Sequence, residues 1–165
     1  MGTDSSYALR SFEKTGDSII ISKENKNTFF AEYYIIEFYT PTGVNEYKKD
    51  DGCGIPSEPG IVVWHVSAEL DTMSRITSRE NVWDITRYDN GRTEHKLLTI
   101  ACADGSTDID EDYYYVLGNK DLYHENSVIS GLEWYDGTKA DFSISVGTFS
   151  EVDGVEQASL EIHFN

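Results

Sequence analysis

The clearest patterning lies in the C-terminal third. Phe142, Ile144 and Val146 alternate with Asp141, Ser143 and Ser145, and Ala158, Leu160, Ile162 and Phe164 alternate with Ser159, Glu161 and His163. A period of two with one wet face predicts two half-buried antiparallel strands. Gly147 to Gln157 carries Asp153-Gly154 and reads as a hairpin-like connection. Trp134-Tyr135-Asp136-Gly137 reads as a turn ahead of the pair, and Gly137 and Gly154 are expected at positive φ.

Two denser apolar runs occur earlier, within Ala31 to Val66. Tyr33 to Tyr39 and Ile61 to Val66 are rich in aromatic and β-branched residues and enclose a loop bearing Pro41, Gly43, Gly52, Gly54, Pro56, Pro59 and Gly60. Each predicts a buried strand. In a longest candidate from Phe29 to Tyr39, Tyr33, Ile35 and Glu37 share one face and Tyr34, Ile36 and Phe38 the other. Apolar groups on both faces predict a strand covered on both sides. Glu37 must reach solvent or find a partner, because burying a lone carboxylate costs several kcal/mol. His65, inside its strand, reads as a hydrogen-bonded packing residue before a metal ligand.

Weaker signals complete the chain. Tyr7 to Arg10 is a candidate edge strand, Asp17 to Ser22 a short strand, and Lys96 to Ala103 a buried one. From Ser67 to Glu94 the pattern dissolves into a long decorated connection, with a short helix expected near Ser67 to Met73 and a strand near Val82 to Tyr88. Eight to ten short strands and hardly any helix predict an all-β fold: an antiparallel β-sandwich, jelly-roll-like, with a long irregular connection. The 165 residues suit a single domain, 1–165. Residues 1–16 are expected to be partly disordered or an added start, Met1-Gly2 before small polar residues suggesting a piece cut from a longer protein.

Charge changes the picture of partners. With 30 Asp plus Glu against 13 Lys plus Arg, the formal charge is -17. Such a surface repels phosphate backbones and anionic headgroups, so neither nucleic acid nor membrane is an expected partner. No apolar run is long enough to span a bilayer, and the N-terminus lacks the pattern of a secretory signal.

Candidate chemistry concentrates in one place. Asp104, Asp108, Asp110, Glu111 and Asp112 crowd nine residues after the Lys96 to Ala103 run. Mutually repelling carboxylates want full solvation or a cation, and Asp104, Asp108, Asp110 and Asp112 are candidate Ca²⁺ ligands, although the spacing is not that of an EF-hand. Tyr113, Tyr114 and Tyr115 with Trp134 form a candidate sugar-stacking platform, against the commoner use of such rings in packing. Cys53 and Cys102 fit either a bridge pinning loop to sheet or buried free thiols. The four histidines stand more than four residues apart, so the His-Glu-x-x-His constellation of zinc peptidases is missing, as are the nucleophile elbow and the phosphate loops.

Glu32 to Phe38 (EYYIIEF), Pro59 to Val66 (PGIVVWHV), Leu97 to Gly105 (LLTIACADG) and the W-x-D-G run from Trp134 to Val146 occur in an order that resembles the region following the catalytic helix in immune inhibitor A type secreted metallopeptidases. The chain departs from that family at Phe38 and Tyr39, which follow Glu37 where an arginine is usual nearby, and at Ser67, where an aspartate is usual. The resemblance implies a non-catalytic β-sandwich module of an extracellular or cell-surface metallopeptidase-like protein. Its implied partners are a neighbouring catalytic domain and a protein or glycan substrate. The alternative is a free-standing calcium-dependent carbohydrate- or protein-binding module.

Overall fold

The computed structural model describes residues 3–23, 30–46, 55–69, 90, 95–106 and 117–165. Its strands are β1 (Ser5–Arg10), β2 (Ile19–Ser22), β3 (Glu32–Tyr39), β4 (Gly60–Ser67), β5 (Leu98–Ile100), β6 (Val128–Ile129), β7 (Phe142–Val152) and β8 (Val155–Phe164), with one helical turn, α1 (Phe12–Thr15). They form two four-stranded antiparallel sheets, ordered β1-β8-β7-β6 and β2-β3-β4-β5. The all-β antiparallel sandwich is therefore the fold. Its winding is two meanders, with β1 returning to lie beside β8. The expected strand near Val82 to Tyr88 lies outside the described residues, as do residues 70–73 of the helix expected near Ser67 to Met73; Ser67 instead closes β4, and Ala68 and Glu69 follow it without helix.

One core fills the space between the sheets. Tyr34, Ile36 and Phe38 of β3 and Ile61 and Val63 of β4 meet Phe142, Ile144 and Val146 of β7 and Ala158, Leu160 and Ile162 of β8. Each large side chain enclosed in this way contributes about 1.5–3 kcal/mol. The inward positions are the period-two positions of the sequence. The edge strand expected at Tyr7 to Arg10 is β1, and α1 follows it: Leu9 joins the core, and Ser11 makes a parallel bridge to Phe38 with its Oγ 2.7 Å from Thr40 Oγ1. Backbone pairing of all six β1 residues with Gln157 to Ile162 of β8 holds this edge strand in place.

The β7–β8 hairpin is longer than the alternation predicts. Asp153 and Gly154, with φ of 53° and 79°, are its two loop residues, and pairing reaches Val152 and Val155. The register shifts between Val146 and Phe149, so the inward positions change from even to odd. Phe149 then turns its ring to Phe38, 4.8 Å away between centroids. A bulge adds one residue to one strand, which is why a strict period-two reading stops at Val146.

A smaller cluster covers the other face of the second sheet. Val62, Ile100, Cys102 and Leu122 are buried together, with Tyr39, Trp64 and Leu117 packed against them. The segment carrying Leu122 is stitched to β4 by reciprocal backbone bonds between Ile61 and Tyr123, 2.8 and 3.0 Å. Both faces of β4 are thus enclosed, as its continuous apolar run requires.

Candidate functional site

β3 begins with a carboxylate in an inward position. Glu32 has the same parity as Tyr34, Ile36 and Phe38, so the pleat that buries those side chains carries it inside too, at 4% exposure. Register pairs Tyr34 with His65 of β4, and their rings stack at 4.6 Å. His65, itself 6% exposed, thereby comes diagonal to Glu32, with Nε2 2.9 Å from Oε1.

Two further donors complete the carboxylate. The backbone N–H of Tyr135 donates to Glu32 Oε1 at 2.6 Å, and Lys23 Nζ lies 3.0 Å from Oε2. Lys23 also reaches Asp136 Oδ2 at 2.8 Å and stands 5.8 Å from the centre of the Trp134 ring. Burial pushes the Glu32 carboxyl up, but the bonds from His65, the Tyr135 N–H and Lys23 outweigh it and hold it below the usual range. Asp136 is held low by Lys23 and then by Thr138.

Aromatic rings enclose the pair. Tyr135 packs on His65 at 4.4 Å and His95 stacks on Tyr135 at 4.4 Å. The Tyr34 hydroxyl donates to the Glu133 carbonyl at 2.7 Å, and that of Tyr135 to the Lys96 carbonyl at 2.6 Å. A histidine bonded to a carboxylate is a common acid–base arrangement, but here both partners are sealed and the carboxylate is filled by protein donors. The arrangement fastens β2, β3 and β4 to the turn that leads toward β7.

The two residues singled out for possible chemistry have structural partners. Glu37 accepts a bond from Trp64 Nε1 at 2.9 Å on the other face of β3. Its burial raises the carboxyl, partly countered by that bond. His65 is a bonded packing residue, as its place in a strand suggests.

The expected sugar platform loses one anchor. Trp134 is 6% exposed and packs against Tyr34 at 4.8 Å, so its ring is a core element and presents no open face to a ligand. The backbone bonds from the Trp134 N–H to Thr138 O and from the Gly137 N–H to Trp134 O close the turn that carries it. Tyr113, Tyr114, Tyr115, Asp108, Asp110 and Asp112 lie outside the described residues, as does Cys53.

Asp104 sits in the turn after β5. Ser106, whose backbone N–H donates to Oδ1 at 2.8 Å, holds its carboxyl below the usual range, aided by Lys120, whose Nζ lies 3.3 Å from Oδ2. Among the described residues, the one group that converges three potential metal-ligand atoms is Cys102, Asp104 and Asp121, all within 4.8 Å of one another. The described residues thus do not build the two-histidine centre of a zinc peptidase. Asp121 and Glu32 were not candidates from sequence. The parity of Glu32 with Tyr34 was a usable signal, whereas Asp121 owes its position to Leu122 filling the outer cluster.

A scan of family models, the curated proteins and the solved structures found no match for this chain.

Proposed function

We propose that the chain is a non-catalytic β-sandwich module of an extracellular or cell-surface metallopeptidase-like protein, supporting a neighbouring catalytic domain or helping to bind its substrate. The observation that carries this reading is the use made of the groups with catalytic potential. Glu32 and His65 bond to each other inside the sandwich, and Glu37 bonds to Trp64. These groups do structural work, which suits a scaffold. The resemblance of four motifs in order to the region after a peptidase's catalytic helix supplies the kind of neighbour.

An exposed apolar end also suits a neighbouring domain. Val44, 90% exposed, and Phe12 flank the place where Glu13 of α1 rests on Gly43. Isolated exposed apolar residues are ordinary, so this observation supports the reading without carrying it.

The test has two parts. The purified chain is expected to leave a casein substrate intact with zinc present, and chelator-sensitive cleavage overturns the reading. The reading frame upstream of Met1 is expected to encode a His-Glu-x-x-His segment, and a frame without one removes the proposed neighbour.

A further inference from the structure

The outer cluster fixes Asp121 in an unusual setting. Leu122 is buried against Val62, Ile100 and Cys102, and the Ala103 N–H donates to the Asp121 carbonyl at 3.0 Å. These two restraints draw the short turn Asn119–Asp121 against the end of β5, and the Asp121 side chain is enclosed with it at 1% exposure. Its Oδ2 accepts the Gly118 N–H at 2.7 Å. Its Oδ1 is buried with no hydrogen-bond partner among the described residues.

An enclosed carboxylate oxygen without a donor is costly, by about 1–3 kcal/mol or more for a charged group. Among buried side-chain oxygens such orphans are uncommon and call for a physical account. Here the same carboxylate shares a 4.8 Å neighbourhood with an Asp104 carboxylate oxygen and Cys102 Sγ. Calcium–oxygen bonds of about 2.3–2.6 Å allow ligands on one ion to stand up to about 5 Å apart. Zinc, at about 2.0–2.3 Å, needs the atoms drawn slightly closer and accepts sulfur as well as oxygen.

We propose that Asp121 and Asp104 hold a divalent cation at the end of β5, beside Cys102. The buried Asp121 oxygen is the anchor. Asp104, reached from solvent through its turn, closes on the ion from outside. Lys120 Nζ, 3.3 Å from Asp104 Oδ2, occupies the outer side as an exposed, exchangeable counter-charge. The formal charge of -17 on the whole chain further favours cation capture. This inference stands apart from the module reading, because the same ion could serve a scaffold or a free-standing protein.

The test is calorimetric titration of the chelator-treated 165-residue chain with calcium chloride and, separately, zinc chloride, paired with thermal melting. One saturable site per chain is expected for at least one ion, with a Kd of about 10⁻⁴ M or tighter and a raised melting midpoint. Asp121→Asn keeps an oxygen for the Gly118 N–H, so the turn survives, and it should weaken binding at least tenfold. Asp104→Asn, on the more open side, should weaken the same site. Circular dichroism matching the parent confirms that both variants fold. Calcium binding identifies an oxygen site, and zinc binding diminished by Cys102→Ser identifies one that includes sulfur. Absence of saturable binding and of any midpoint shift at about 5 mM of both ions overturns the proposal. Binding that survives Asp121→Asn also overturns it, since the ion then sits elsewhere, for instance on a histidine.

Discussion

Glu32 Oε1 lies 2.9 Å from His65 Nε2, inside the sandwich and between two neighbouring strands. A carboxylate held in its ionised form accepts only, so the histidine carries its proton on Nε2 toward the acid. The contact lies one diagonal step from the stacked Tyr34–His65 pair and shares its acceptor with the Tyr135 N–H. An acid, a histidine and a turn are thereby held in one geometry, which is the work of a staple.

Glu32→Gln should cost about 2–4 kcal/mol at pH 7, because the change strips the charge from an acceptor that serves His65, Lys23 and a backbone N–H while leaving those donors enclosed. Urea unfolding measures it. The pH dependence carries its own sign. The folded carboxyl is lower than the unfolded one, so its stabilisation is complete above about pH 4.3 and disappears as the pH falls through the lowered folded value. Glu32→Gln should therefore flatten part of the acid limb of the parent's stability profile. Parallel acid limbs in the two proteins would contradict this.

Glu37→Gln should act in the opposite direction. Burial raises the Glu37 carboxyl, so its contribution is favourable below the unfolded value near pH 4.3 and is lost as pH rises through the raised folded value. Glutamine keeps an oxygen for the Trp64 N–H without the buried charge. The variant is expected to melt above the parent at pH 7 and to lose that advantage at pH 4.

Gly60→Ala should destabilise by about 1–3 kcal/mol through overpacking. A Cβ at Gly60 would stand 2.6 Å from Leu122 Cβ and 3.3 Å from the Tyr123 carbonyl. Because the nearer contact is with Cβ itself, Leu122→Ala cannot relieve it. A double variant that loses about the sum of the two single losses supports the clash, and one clearly more stable than that sum, a rescue by Leu122→Ala, argues against it.

Tyr34→Phe should cost about 1 kcal/mol, since it removes the donor to the Glu133 carbonyl and leaves the ring stack with His65 in place. Tyr34→Ala, which also empties the centre of the core, should cost about 3–5 kcal/mol. The difference between the two variants separates the hydroxyl from the ring in one denaturation series.

Much of the sandwich was legible in the chain. Period-two alternation placed Phe142, Ile144, Leu160 and Ile162 inside and grouped Tyr34, Ile36 and Phe38 on one face, because a strand sends successive side chains to opposite faces whatever its neighbours are; which face of β3 meets the other sheet was left to packing. Asp153-Gly154 announced its turn for a similarly local reason, a backbone conformation that few residues tolerate. The bulge after Val146 was not legible, since it depends on the partner strand. Neither was the burial of Trp134: a turn sequence fixes the backbone locally, but only packing against Tyr34 decides which way the ring points.

The sites divide along the same line. By itself the sequence determined the fold class, the longer strands of both sheets, the acidic charge and the absence of a two-histidine zinc motif, all of which follow from local pattern and residue count. Only the tertiary structure joined Glu32 to His65 across 33 residues, and Asp121 to Asp104 and Cys102 across the end of β5. Those meetings depend on register and on which apolar residue, Leu122, fills a distant cluster. They are set by the summed packing of the whole chain and leave no local mark.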